Sequence, residues 1–261
     1  MKRIVISIII LLILSVVLFA QDGVDEKKLQ GLLALSKQKQ TEANGFLGAG
    51  NFNQAAVAYG EVIKAFSALT NPQEIELTEE TLHLFYEKRA TVYLAAKQNK
   101  LSDEDYQKYI QFRLNRAKKS FEKARAETKA KNEERAVWFG GAFDDLLKVY
   151  STYDKRNQVF ATVYKKNPET GLLNETELKD VDGLLKNIML SWGKIETETF
   201  LETGMAKNAE SAIEKLNFVV KRSPNEIESY QLLEKIYRKQ GKTELANANQ
   251  AKAESLQKGN N

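Results

Sequence analysis

The chain has 261 residues, 43% of them hydrophobic, with 39 basic and 35 acidic side chains, one histidine and no cysteine. Without cysteine there is no disulfide framework, thiolate metal site, cysteine nucleophile or lipidated N-terminal cysteine. The formal charge of +4 falls to +2 once Lys2 and Arg3 are set aside, and both signs are mixed along the chain, which describes a solvated surface and not a nucleic-acid footprint.

Lys2 and Arg3 precede an apolar run from Ile4 to Phe19, and Ala20 stands before the polar Gln21-Asp22-Gly23. A basic start, an apolar core and a small residue at the exit describe a secretory signal over residues 1–20, with the mature chain beginning near Gln21. Leu18, at the −3 position of that cleavage, is bulkier than usual, so the competing reading is an uncleaved inner-membrane anchor facing the periplasm. The 17 residues from Ile4 to Ala20 would span about 26 Å as a helix, slightly short of a ~30 Å hydrocarbon core. On either reading residues 21–261 form an exported, periplasmic domain, and only residues 1–20 would touch a membrane.

The rest reads as helices. There are three prolines, in Asn71-Pro72, Asn167-Pro168 and Ser223-Pro224, each at the end of an apolar periodic segment where a helix stops. Asp25 to Leu69 holds two helices, with Gly48-Ala49-Gly50-Asn51 as their turn and Asn53 as N-cap of the second. A third helix is expected over Thr78 to Lys100, with Thr78 and Thr81 as caps and Leu82, Phe85, Tyr86, Ala90, Tyr93 and Leu94 as its apolar face. Ser102-Asp103-Glu104 then opens a long helix to about Ala130, striped by Tyr106, Ile110, Leu114, Ala117, Phe121 and Ala124. Its Arg113, Arg116, Lys118, Lys119, Lys123 and Arg125, interspersed with Glu122 and Glu127, read as a solvated face in preference to a patch for phosphate, lipid headgroups or an acidic partner.

Glu133 to Lys166 carries a wide apolar surface, from Ala136 and Phe139 to Leu147 and Tyr150, that suits a buried helix. Gly140-Gly141 within it costs up to ~1 kcal/mol per glycine relative to alanine, so close packing or a kink is expected there. Phe160, Val163 and Tyr164 are assigned to a further helix ending at Asn167-Pro168. The spacing of Gly171, Leu173 and Glu177 is similar to the second half of a calcium-binding EF-hand loop. Lys166, Pro168 and Thr170 stand where carboxylate ligands belong, so the segment reads as a turn, with Asn174 or Thr176 starting the next helix. Asn174-Glu175-Thr176 also has the form of a glycosylation sequon. The helix that follows to Thr203 includes Trp192 and Phe200 as core aromatics.

The clearest pattern lies between Ala212 and Ala253. Ala212 and Ala246 are 34 residues apart, as are Val219 and Ala253. Pro224, Tyr230, Leu233, Tyr237 and Gly241 fall between them, with the three aromatic and aliphatic residues at helical spacing. Ala43, Phe46, Gly50, Phe52, Ala55, Tyr59 and Val62 repeat the arrangement near the N-terminus. These segments resemble the tetratricopeptide repeat (TPR) family, clearly over about 36–70 and 209–256 and more loosely over 78–125.

The resemblance implies an all-α, TPR-like right-handed helical-hairpin solenoid with irregular, stretched central repeats. It also implies that the A-helices line a concave face that binds an extended peptide or a partner helix. The inward positions are Lys37, Gln40 and Asn44 in the first repeat and Gln231, Lys235, Arg238 and Lys239 in the last. Gln40 stands where chaperone-binding TPRs have lysine, which argues against C-terminal chaperone peptides as ligands.

No phosphate loop, nucleophile elbow or zinc-protease motif is present, and His83 has only Glu79 and Glu87 at helical spacing. A non-enzymatic chain without metal or cofactor is expected. The leading expectation is a scaffold holding another envelope protein in a bacterial periplasmic assembly, with no nucleic-acid partner. The alternative is a small-ligand or lipid carrier whose pocket, within 133–208, is lined by Phe139, Phe143, Trp192 and Phe200.

Overall fold

The computed structural model describes residues 24–127, 131–163 and 175–259. Residues 1–20, read above as an export signal, Asn167-Pro168, Asn174 and the loop similar to half an EF-hand lie outside them. Among the described residues nine α-helices follow one another and no strand occurs. They are α1 (Glu26–Gly48), α2 (Phe52–Ser67), α3 (Pro72–Ala95), α4 (Asn99–Ala126), α5 (Asn132–Val163), α6 (Glu175–Thr203), α7 (Ala206–Arg222), α8 (Ile227–Lys239) and α9 (Thr243–Gly259). The helices pack in sequence-adjacent pairs, the TPR-like hairpin arrangement that the repeat predicts. Two compact units divide within α4, one running to Ile110 and the other from Gln111.

The first unit contains α1 to α3 and the start of α4. Asp25 caps α1 by accepting from the Lys28 amide at 3.0 Å. Lys28 also reaches Glu74 of α3 at 2.6 Å, and that carboxylate accepts the Asp25 amide at 3.3 Å, so the chain entry is tied to the third helix. Ala43, Ala55, Tyr59, Val62, Phe66 and Phe85 form the core, with Tyr59 edge-on to Phe85 at 5.7 Å between centroids.

Three helix starts differ from the sequence expectation: α4 begins at Asn99, so Ser102 is a buried residue within it that donates to the Ala90 carbonyl at 2.8 Å. The N-cap position of α2 is held by Asn51, without a side-chain capping bond, while Asn53 lies inside the helix and accepts from Gln98 at 2.8 Å. Helix α3 begins six residues earlier than Thr78, at Pro72: Asn71 accepts from the Gln73 amide at 2.9 Å, and proline at the first helical position lacks a donor that would have no partner there. Thr78 and Thr81 are therefore buried mid-helix residues, and Thr78 bonds back to the Glu74 carbonyl at 2.7 Å.

A short turn also joins α3 to α4, where the sequence suggested a departure from the repeat. Three helix ends close with the same pair of bonds. After α1, Gly50 donates to Leu47 at 3.1 Å and Asn51 to Phe46 at 2.8 Å; after α8, Gly241 donates to Arg238 at 3.1 Å and Lys242 to Tyr237 at 2.9 Å. After α3, Lys97 donates to Leu94 at 3.0 Å and Gln98 to Tyr93 at 2.8 Å. Gly50 and Gly241 have φ of +74° and +72°, and Lys97 takes the same left-handed conformation at +59°. The turn is the same; only its residue hides it.

The second unit holds the rest of α4 and α5 to α9. Here α6 packs with α7 and α8 with α9, α7 meets α8, and α6 also touches α8, so each hairpin stacks on the next. Ala209, Ala212 and Leu216 are wholly buried in α7. A Cβ on Gly193 of α6 would lie 3.0 Å from two Leu216 atoms, so α6 and α7 cross closely there. The last described helix buries only Ala246 and Ala253 deeply and shows solvent a mostly polar face.

Helix α5 is one uninterrupted helix through Gly140-Gly141 and on to Val163, not the two expected. Close packing holds for Gly140, whose Cβ would sit 3.5 Å from Trp192, while Gly141 faces open space. Helices α4 and α5 are joined by charge. Arg113, 1% exposed, donates to Asp145 at 3.0 Å, and Arg116 grips the same carboxylate with two bonds of 2.6 Å. The solvated-face reading holds for Lys118, Lys119, Lys123 and Arg125, which are exposed, but not for Arg113.

Candidate partner-binding groove

The second unit carries a groove of about 540 Å³. Its long wall is α6, which contributes Asn187, Ser191, Lys194 and Glu198 at helical spacings of four, three and four, a single polar stripe. Half-buried Leu190 of the same helix is the groove's accessible apolar side chain, and Ile195, Phe121 of α4 and Phe139 of α5 are buried beneath it. Phe121 and Phe139 pack on one another at 6.0 Å between ring centroids. Arg125 and Arg135 complete the α4 and α5 side, and Glu228 opens α8.

Local bonds hold these groups in place. Lys194 donates to Glu228 at 2.9 Å, which links equivalent positions of consecutive hairpins, 34 residues apart. That carboxylate raises the Lys194 ammonium above its ordinary pKa. Arg135 donates Nε to the Ala124 carbonyl at 2.8 Å, covering an acceptor that the end of α4 would leave bare. Arg125 rests with its guanidinium 5.5 Å from the Phe121 centroid.

The residues assigned to a binding face from the repeat register fall in both units. Lys37 and Asn44 are exposed and Gln40 half-buried on α1, in the first. Gln231, Lys235, Arg238 and Lys239 are all exposed on α8, in the second. Gln231 and Lys235 lie three and seven residues beyond Glu228, so they extend the face on which that groove residue stands. Arg238 is bonded to Glu234 of its own helix and to Gln250 of α9 at 3.2 Å. Lys239 donates to the Leu201 carbonyl and thereby covers the C-terminal end of α6. Both therefore have structural partners as well as exposure.

Helix α6 supplies most of the groove and was read from the sequence only as core. Its signal was present in the polar Asn187, Ser191, Lys194 and Glu198, which share one face among apolar neighbours.

The four aromatics proposed for a carrier pocket do not converge. Phe139 alone reaches the groove; Phe143 meets Phe218 edge-on at 6.3 Å between centroids. Trp192 lies under the Lys215 ammonium, 4.1 Å from the ring centroid, and burial lowers that lysine's pKa. Phe200 belongs to the packed cluster of Ala209, Ala212, Leu216 and Leu233. Among the described residues each is engaged by its own neighbours.

His83 packs against Tyr86 at 5.7 Å between centroids. Among the described residues no group of three or more His, Cys, Asp or Glu side chains is placed to hold a metal ion.

No family model matches the chain, and no curated protein matches it. Among solved structures, the chain is similar to one described as the crystal structure of MamA, at 16% identity and a TM-score of 0.34, covering 84% of this chain and 95% of that one. A second MamA structure gives 14% identity and a TM-score of 0.32, over 86% and 92% of the two chains. An assembly chaperone of RpL4, Acl4, gives 9% identity and a TM-score of 0.41, over 85% of this chain and 75% of that one.

Proposed function

We propose that this protein is a non-catalytic scaffold that holds a segment of another protein, as a peptide or a helix, in the groove along α6 and α8. One observation supports the reading above the rest. The α6 stripe Asn187, Ser191, Lys194 and Glu198 runs beside half-buried Leu190, and the Lys194–Glu228 pair continues that surface onto the next hairpin. Polar groups of both kinds in a groove suit a chain whose backbone must be hydrogen-bonded. A photoreactive residue placed at Ser191 should crosslink to a discrete partner in native cells, and one at Leu245, exposed on α9, should not. Equal crosslinking from both positions would place binding elsewhere.

The setting we propose is the bacterial periplasm, with another envelope protein as partner, and it rests on Lys2, Arg3, the apolar run and Ala20. N-terminal sequencing of the native protein should return a start near Gln21. An intact Met1 in the membrane fraction would indicate the anchor instead.

A further inference from the structure

The charges of the groove point to a narrower occupant, and this inference rests on the peptide-binding reading above. From Asn187 to Glu198 the α6 wall runs about 16 Å at ~1.5 Å per residue, which matches roughly five residues of extended chain. Lys194 is matched by Glu228 at 2.9 Å, so that pair adds no net charge. Arg125 and Arg135 form no ion pair among the described residues; their printed contacts are the Phe121 ring and the Ala124 carbonyl. Both leave guanidinium N–H groups available beside Phe121 and Phe139, and a guanidinium fork matches a carboxylate in shape and charge.

The opposing charges limit what can sit there. A phosphate-rich chain or a run of acidic residues would meet Glu198 and Glu228 as well as the arginines. A segment with one carboxylate next to an apolar side chain meets the arginines with the first and half-buried Leu190 with the second. Its backbone amides would lie against Asn187 and Ser191, which offer both donors and acceptors. We propose that the occupant is such an acidic–apolar peptide segment of a partner protein, its carboxylate held by Arg125 and Arg135 and its apolar side chain against half-buried Leu190.

The test is a display library of short randomised peptides selected on the full chain, followed by binding of the recovered peptides to Arg125→Glu/Arg135→Glu. Recovered peptides should share Asp or Glu within two residues of Leu, Ile or Phe, and the double variant should bind them about tenfold more weakly or worse. Because Arg135 also holds the end of α4, Arg125→Gln is the companion variant: it leaves that bond intact and should weaken the same peptides in the same direction. Circular dichroism of each variant checks the fold.

Recovered peptides without acidic preference, or binding unchanged in both variants, would overturn the acidic occupant, while crosslinking from Ser191 would still support peptide binding. Failure to recover any peptide, with no crosslink from Ser191, would overturn both. Charge-sensitive binding of a labelled RNA oligomer in place of peptides would show the arginines serving another class of ligand, and would also overturn the proposal.

Discussion

Helices α6 to α9 meet through small side chains: Gly193 against Leu216, and the wholly buried Ala209, Ala212 and Ala246. Helices α4 and α5 meet through long ones, with Arg113 and Arg116 both bonded to Asp145 and Phe121 on Phe139. Both regions lie in the same compact unit, but they fail in different ways. A small-residue crossing gains dispersion contacts from close approach and is damaged by added volume. A buried charge cluster is stable only while complete, because removing one member strands the others in a medium that solvates them poorly.

The largest effect expected from this contrast is therefore at Asp145. Asp145→Ala removes the carboxylate that both the buried Arg113 and Arg116 grip, and should cost ~3–5 kcal/mol in urea melts. Arg113→Met with Asp145→Leu together should cost clearly less than Asp145→Ala alone, since the buried charge and its partner leave together while Arg116, a third exposed, can turn to water. A double variant as unstable as the single one would show that shape and not charge holds α4 on α5.

In the small-residue region, Ala212→Leu should overpack the α6–α7 crossing and cost ~1–3 kcal/mol. A variant melting like the parent would mean that Ala212 is not at a crossing and that the repeat register through Pro224 is misplaced. Ala246→Leu is a weaker test, because the terminal helix can fray to relieve the strain.

The Lys97 turn gives the next effect, of opposite sign. Lysine pays for a left-handed backbone that glycine adopts freely, so Lys97→Gly should stabilise the protein by about 1 kcal/mol, visible as a raised melting temperature. Destabilisation would show that the Lys97 side chain does more than occupy the turn.

At the small end, Lys235→Ala and Arg238→Ala on exposed α8 should leave stability within about ±0.5 kcal/mol. A partner-capture assay should show a loss for Lys235→Ala if the binding surface continues along α8 from Glu228. For Arg238, whose partners are Glu234 and Gln250, the loss should be smaller.

The regions also differ in how far the sequence reveals them. Gly50 and Gly241 announce their turns because few residues other than glycine accept a positive φ. Lys97 adopts the same conformation with no such mark, so the α3–α4 turn went unread. Asn71-Pro72 shows that proline after asparagine begins a helix as readily as it ends the one before. The Arg113–Asp145 pair was out of reach, since its members stand 32 residues apart and each looks like a surface charge alone. The groove was partly legible: its α6 stripe has regular helical spacing, but Ile188, Ile195 and Trp192 beside it drew the reading toward the core. Which side chains from α4 and α5 would face that stripe depends on packing that periodicity does not specify.

The most direct test of the functional account is to fill the groove without disturbing the fold. Ser191 is half-buried on the groove wall, and Ser191→Trp would place an indole where the account seats a partner segment. The prediction is a melting curve like that of the parent together with about tenfold or greater loss of affinity for the partner crosslinked from that wall, a change of ~1.4 kcal/mol or more. A well-folded Ser191→Trp protein that binds the partner at parental affinity would contradict the account.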